Sequence, residues 1–129
     1  MLLIIEDNLE LVNLYKIALQ LVKIEPEVEV TGPAALRRIQ DKNAPRPEAV
    51  ILDLHLRKEN GIEVQGEELF NEMRQVWPGT RIVVVSADKG WCQKFIGNAD
   101  AVVEKPIANM LTFLDTIQGF LNSEQPALV

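Results

Sequence analysis

At 129 residues, 47% of them hydrophobic, the chain is sized for one domain with one real core. A net charge of −6 without a dense basic patch argues against direct nucleic-acid binding by phosphate neutralisation. No apolar run approaches the roughly 18–20 residues that cross a bilayer, and the lone Cys92 excludes an internal disulfide.

Residues 2–5, "LLII", are continuous and aliphatic, as in a strand buried on both faces. With no basic leader before them and one cysteine, the expected setting is cytoplasmic. A helix is predicted over 7–24, capped by Asp7 or Asn8, with Leu11, Leu14, Ala18 and Val22 inward and Tyr15 and Leu21 widening the stripe. "EVEV" (27–30) alternates with charge and reads as an edge strand. A small helix follows over 31–42, with Pro33 in its first turn, and then a proline-rich loop over 43–48.

"AVILDL" (49–54) is the third strand, and it carries Asp53 in an otherwise apolar run. A polar segment over 55–66 precedes a helix over 67–77, in which Leu69, Met73 and Val76 share a face and which Pro78-Gly79 stops. "RIVVVSA" (81–87) is the fourth strand, and a short helix is expected over 89–98, ending near Gly97. "AVVEK" (101–105) is the fifth strand. A last helix over 107–121 places Ile107, Leu111, Leu114 and Leu121 on one face. The expected domain is 1–122, with 123–129 as a tail or linker.

Strands alternating with helices predict an α/β domain, a doubly wound five-stranded parallel sheet with helices on both faces. Such sheets bind ligands outside the carboxyl ends of their strands. Glu6 and Asp7 follow the first strand, Asp53 ends the third, Ser86 the fourth and Lys105 the fifth. In the flavodoxin-like order 2-1-3-4-5, these side chains share one pocket.

A buried carboxylate is costly unless it is paired or neutralised. Two carboxylates about 4 Å apart repel by roughly 1 kcal/mol in water, and by about 4 at an effective dielectric of 20. Glu6, Asp7 and Asp53 would therefore raise one another's pKa or recruit a cation. An all-oxygen site with open positions suits Mg²⁺. A metal, the Lys105 ammonium and the Ser86 hydroxyl can together stabilise a transferring phosphoryl group, with the Asp53 carboxylate as nucleophile.

"IIEDN", "ILDL", "VVVSA" and "VVEKP", in that order and each at a strand end, resemble a response-regulator receiver domain of two-component signalling, chemotaxis-regulator-like. The resemblance spans residues 2–106 and extends through the last helix. It implies Asp53 as phosphoacceptor in a phosphorelay, with Glu6, Asp7, Asp53 and the main-chain carbonyl of His55 holding Mg²⁺. It implies that Lys105 pairs with Asp53 and then with a phosphoryl oxygen, that Ser86 swings toward the phosphate, and that the Lys105–Pro106 bond is cis. His55 and Asp88 stand at positions that tune dephosphorylation. The implied partner is a histidine kinase or histidine phosphotransfer protein, with a homodimer as a further option and a strand-four to helix-five face as the switch.

The chain departs from that pattern in three places. Val102 stands where the family has a switching Tyr or Phe. Arg57 replaces a common proline, and the loop before the third helix is about five residues longer, with Gly66 rather than Gly61 at the helix. The Ser86–Lys105 segment is shorter. His55 is expected at the pocket rim, Trp91 and Cys92 in packing, and "RKEN" (57–60) as a solvated loop. Two other functions compete: an Mg-dependent aspartate-nucleophile phosphohydrolase, whose usual second acid is replaced by His55, and a non-phosphorylated interaction scaffold.

Overall fold

The computed structural model describes residues 1–122; the expected tail, 123–129, lies outside the described residues. The elements run β1 (Leu2–Ile5), α1 (Leu9–Gln20), β2 (Glu27–Glu29), α2 (Gly32–Gln40), β3 (Ala49–Asp53), α3 (Gly66–Val76), β4 (Arg81–Ser86), α4 (Lys89–Phe95), β5 (Ala101–Glu104) and α5 (Met110–Asn122). The strands form one parallel sheet in the order β2-β1-β3-β4-β5.

Side chains alternate across a strand, so each central strand feeds two cores. Leu3, Ile5, Val50, Leu52, Ile82 and Val84 meet Ile39 of α2, Leu69, Phe70 and Met73 of α3, and Phe95 of α4. Leu2, Ile4, Ala49, Ile51, Val83 and Val85 meet Tyr15 and Leu19 of α1 and Phe113, Leu114 and Ile117 of α5. Burial on both faces explains why β1, β3 and β4 read as unbroken apolar runs. Each large aliphatic side chain so buried contributes about 1.5–3 kcal/mol of transfer free energy.

The helix faces differ from the sequence expectation. In α1 the buried residues are Val12, Tyr15, Ala18 and Leu19, while Leu14 and Leu21 are 49% and 76% exposed. Apolar residues surround α1 on all sides, so spacing alone supports more than one stripe. The helix also stops earlier, at Gln20, where the chain turns through Lys23 at φ 61°. In α5, Leu111 is exposed and Phe113, Leu114 and Ile117 face the sheet. At the end of α3, Val76 sits at the surface while Leu69 and Met73 are buried.

The long β3–α3 loop is fastened rather than wholly solvated. Asn60 (φ 51°) and Gly61 (φ 75°) form a two-residue reversal, closed by reciprocal main-chain bonds between Glu59 and Ile62 at 3.0 and 2.9 Å. The Glu59 carboxylate accepts two bonds from the Arg37 guanidinium, at 2.7 and 3.1 Å, and one from the Thr31 hydroxyl at 3.1 Å. The "RKEN" expectation therefore holds for the exposed Arg57 and Lys58 but not for Glu59. At the loop's end a Cβ on Gly66 would stand 2.5 Å from Leu54 Cα and 2.7 Å from the Asp53 carbonyl oxygen, which is why only glycine fits there.

Candidate functional site

The carboxyl ends of β1 and β3 bring Glu6, Asp7 and Asp53 together, each offering one carboxylate oxygen within 4.8 Å of the others. Glu6 and Asp53 are 1% and 4% exposed. Lys105, just beyond β5, places its Nζ 2.9 Å from Glu6 Oε1 and 3.2 Å from Asp53 Oδ1. The Lys105–Pro106 peptide bond is cis. The Asn8 N–H donates to Glu6 Oε2 at 3.2 Å, and the Asn8 side chain caps α1, accepting from Glu10 and Leu11 N–H. Asn8, not Asp7, is thus the cap, which leaves Asp7 free for the cluster.

The charges are strongly coupled. Burial, reinforced by the Asp53 charge and opposed by Lys105, pushes Glu6 up to about 7. Burial also raises Asp53, against the pull of Lys105. Burial works against the Lys105 ammonium, but Glu6 and Asp53 outweigh it and hold its pKa above the ordinary value. Among the described residues, buried Glu6 Oε1 accepts no well-aligned hydrogen bond; its partner is the Lys105 ammonium, an ion pair at 2.9 Å. An acid in that condition, beside two further carboxylates, fits a hard divalent cation with oxygen ligands.

The remaining expected residues lie around this cluster. Ser86 is fully buried, and its Oγ accepts the Asp88 N–H at 3.1 Å; the Lys105 main-chain N–H donates to the Ser86 carbonyl oxygen at 2.8 Å, but among the described residues no hydrogen bond joins Ser86 Oγ to the Asp53 or Lys105 side chain. The Asp88 carboxylate caps α4, accepting from Gly90 and Trp91 N–H at 2.9 and 3.2 Å. The His55 N–H donates to Asp53 Oδ1 at 3.4 Å, and its exposed ring stands edge-on to Trp91. Val102, half-buried, packs against the core on the α2–α3–α4 side. Cys92 is buried, with its Sγ 3.5 Å from the Ser86 carbonyl oxygen, and burial raises its pKa.

Two neighbours escaped the sequence reading. Arg57, from the loop extension, shares a hollow of about 480 Å³ with Asp7, Asn8, Leu9 and Glu10. Its only signal was its place four residues after Asp53. Trp91 was legible as a packing residue, but not as a neighbour of the pocket rim. A roomier hollow of about 740 Å³ lies along α1 and the approach to β2, between Asn13 and Pro26. None of its lining residues belongs to the acid cluster.

This sheet order, with polar residues gathered at one edge, is the fold of response-regulator receiver domains. The chain is similar in structure to a CheY-like receiver domain from Methanospirillum hungatei (TM-score 0.76, 21% identity, 95% of this chain and 94% of the other). It is similar to the response regulator TrrA of Thermotoga maritima, in complex with Mg²⁺ and beryllium fluoride (TM-score 0.75, 22% identity, 92% and 96%). The receiver domain of NtrX from Brucella abortus matches at TM-score 0.73 and 23% identity, over 94% and 98%. No family model and no curated protein sequence matches the chain.

Proposed function

We propose that the protein is a phosphoacceptor receiver module, taking a phosphoryl group from phosphohistidine onto Asp53. The observation that carries this reading is the meeting of Asp53 with Glu6, Asp7 and Lys105 at one sheet edge. An Asp53 carboxylate oxygen attacks phosphorus, the phosphorus–nitrogen bond breaks, and the donor imidazole leaves. The Lys105 ammonium, already 3.2 Å from Asp53 Oδ1, balances the charge and passes to a phosphoryl oxygen. Ser86 Oγ accepts from Asp88, so its own O–H is available to donate to another phosphoryl oxygen.

Glu6, Asp7, Asp53 and the His55 main-chain carbonyl would hold Mg²⁺, whose contribution when bound is to neutralise charge on the phosphoryl oxygens. The similar Thermotoga maritima structure with Mg²⁺ and beryllium fluoride supports this ligand chemistry. The module is a signalling switch in a two-component or phosphorelay system rather than an enzyme acting on a diffusible substrate. Its partner is a histidine kinase or histidine phosphotransfer protein in the cytoplasm. Residues 1–122 form the domain, and the switched surface runs from β4 to α5.

The test is intact mass after incubation with Mg²⁺ and a small acyl-phosphate donor. One added phosphoryl group, absent in Asp53→Asn, supports the switch. Continuous turnover of phosphomonoesters would support a hydrolase instead. No modification by the small donor, nor by a phosphorylated histidine phosphotransfer domain, would leave a scaffold as the better reading.

A further inference from the structure

Val102 has neither a ring to rotate nor a hydroxyl to engage, and it lies packed against the α2–α3–α4 core. Two chains of contacts nevertheless leave the pocket, and both end on Trp91. The first runs from Asp53 Oδ1 to the His55 N–H at 3.4 Å, and from the His55 ring to the Trp91 ring, 6.3 Å between centroids and perpendicular. The second runs from Ser86 Oγ to the main-chain N–H of Asp88 at 3.1 Å, and from the Asp88 carboxylate to the main-chain N–H of Trp91 at 3.2 Å.

Beyond Trp91 the contacts continue into the helices. Its ring stacks on Phe95 at 6.2 Å, and Phe95 meets Phe70 of α3 edge-on at 4.9 Å. The Lys94 ammonium lies 4.6 Å from the Trp91 ring centre and also pairs with Glu67 of α3. Of the seven residues of α4, only Cys92 and Phe95 are buried, so little packing opposes a shift of this helix.

We propose that Trp91 is the positioning residue through which α4 reads the phosphorylation state of Asp53. The proposal rests on the phosphoacceptor reading above. A phosphoryl group on Asp53 claims the carboxylate oxygen that now accepts from His55, and it draws the Ser86 hydroxyl away from Asp88. The first change reaches the Trp91 indole and the second its main chain, at the N-cap of α4. Trp91 thus supplies, from the helix, the aromatic element that position 102 lacks.

Trp77→Phe leaves Trp91 as the only tryptophan. Titration with Mg²⁺ and beryllium fluoride, a phosphoryl mimic, is followed by bound-fluoride NMR and by Trp91 emission. The expected result is a saturating emission change with the same midpoint as the fluoride signal. In parallel, amide exchange of residues 90–96 in the unsubstituted protein should change by about tenfold on binding. Trp91→Ala should bind fluoride within about twofold of the parent and lose that exchange response, while Trp91→Phe keeps most of it. Fluoride binding with unchanged Trp91 emission and unchanged α4 exchange overturns the inference and leaves the phosphoacceptor reading standing. An unaltered α4 response in Trp91→Ala also overturns it. No fluoride binding by the unsubstituted protein removes the phosphoacceptor reading, and this inference with it.

Discussion

The central β1–β3 pair of the sheet and its β5 edge, with α4 beside it, meet at the same pocket but are built differently. Every residue of β1 and β3 is buried, Asp53 included. None of the four residues of β5 is fully buried, and α4 has seven residues with two in the core. The acids are thus fixed by strands that cannot move without opening both cores, while the ammonium and the helix beside it sit on the more lightly held side. Bond-making needs the first kind of support, and a change of shape needs the second.

The largest expected effect tests the fixed side. Asp53→Asn should abolish phosphoryl incorporation, and it should also let the Glu6 pKa fall from about 7 toward its ordinary value, because the Asp53 charge supports it. Carboxyl-carbon NMR titration reads that shift; an unmoved Glu6 would mean that the two acids are not coupled.

Lys105→Met comes next. It leaves Glu6 and Asp53 buried without their counter-charge, which should cost about 3–5 kcal/mol in urea unfolding at pH 8. The cost should shrink at pH 5, where a raised-pKa acid takes a proton instead. Equal costs at both pH values would show that the pair contributes little electrostatic strain.

A smaller effect follows from Glu6 itself. Its folded pKa, about 7, lies above the ordinary 4.5, so between those values the folded state binds more protons than the unfolded state. In metal-free protein this group therefore lowers stability as pH rises from about 4.5 through 7, and the loss is complete above the folded pKa. Thermal unfolding should show that fall, and added Mg²⁺ should raise the melting temperature more at pH 8 than at pH 5.5. A metal effect independent of pH would remove Glu6 from the cation site.

The smallest effect tests the loop. Glu59→Ala should barely move the urea midpoint, since its ion-pair partner Arg37 is exposed. It should speed amide exchange in residues 57–62. Unchanged exchange there would mean that the Asn60–Gly61 reversal alone holds the loop.

Strands buried on both faces were legible because their apolar runs have one reading, and the strand-end positions of Glu6, Asp7, Asp53, Ser86 and Lys105 followed from them. The inward face of α1 was not, because Leu14, Ile17 and Leu21 are as apolar as the residues that pack. Asn60-Gly61 is a strong hairpin signal, but the flanking Glu59 and Ile62 lack the alternation that would have named strands. Trp91 was hidden for another reason: its contact with His55 joins the β3–α3 loop to α4, and no local pattern encodes a distance between them.

The loop after Asp53 leaves the sheet at Leu54 and returns at Gly66, whose N–H donates to the Leu54 carbonyl at 3.0 Å. Departure and return share one anchoring bond, so the stretch between them can grow, shrink or be exchanged without displacing the aspartate. What stands at the rim can therefore change while the Asp53 carboxylate keeps its place.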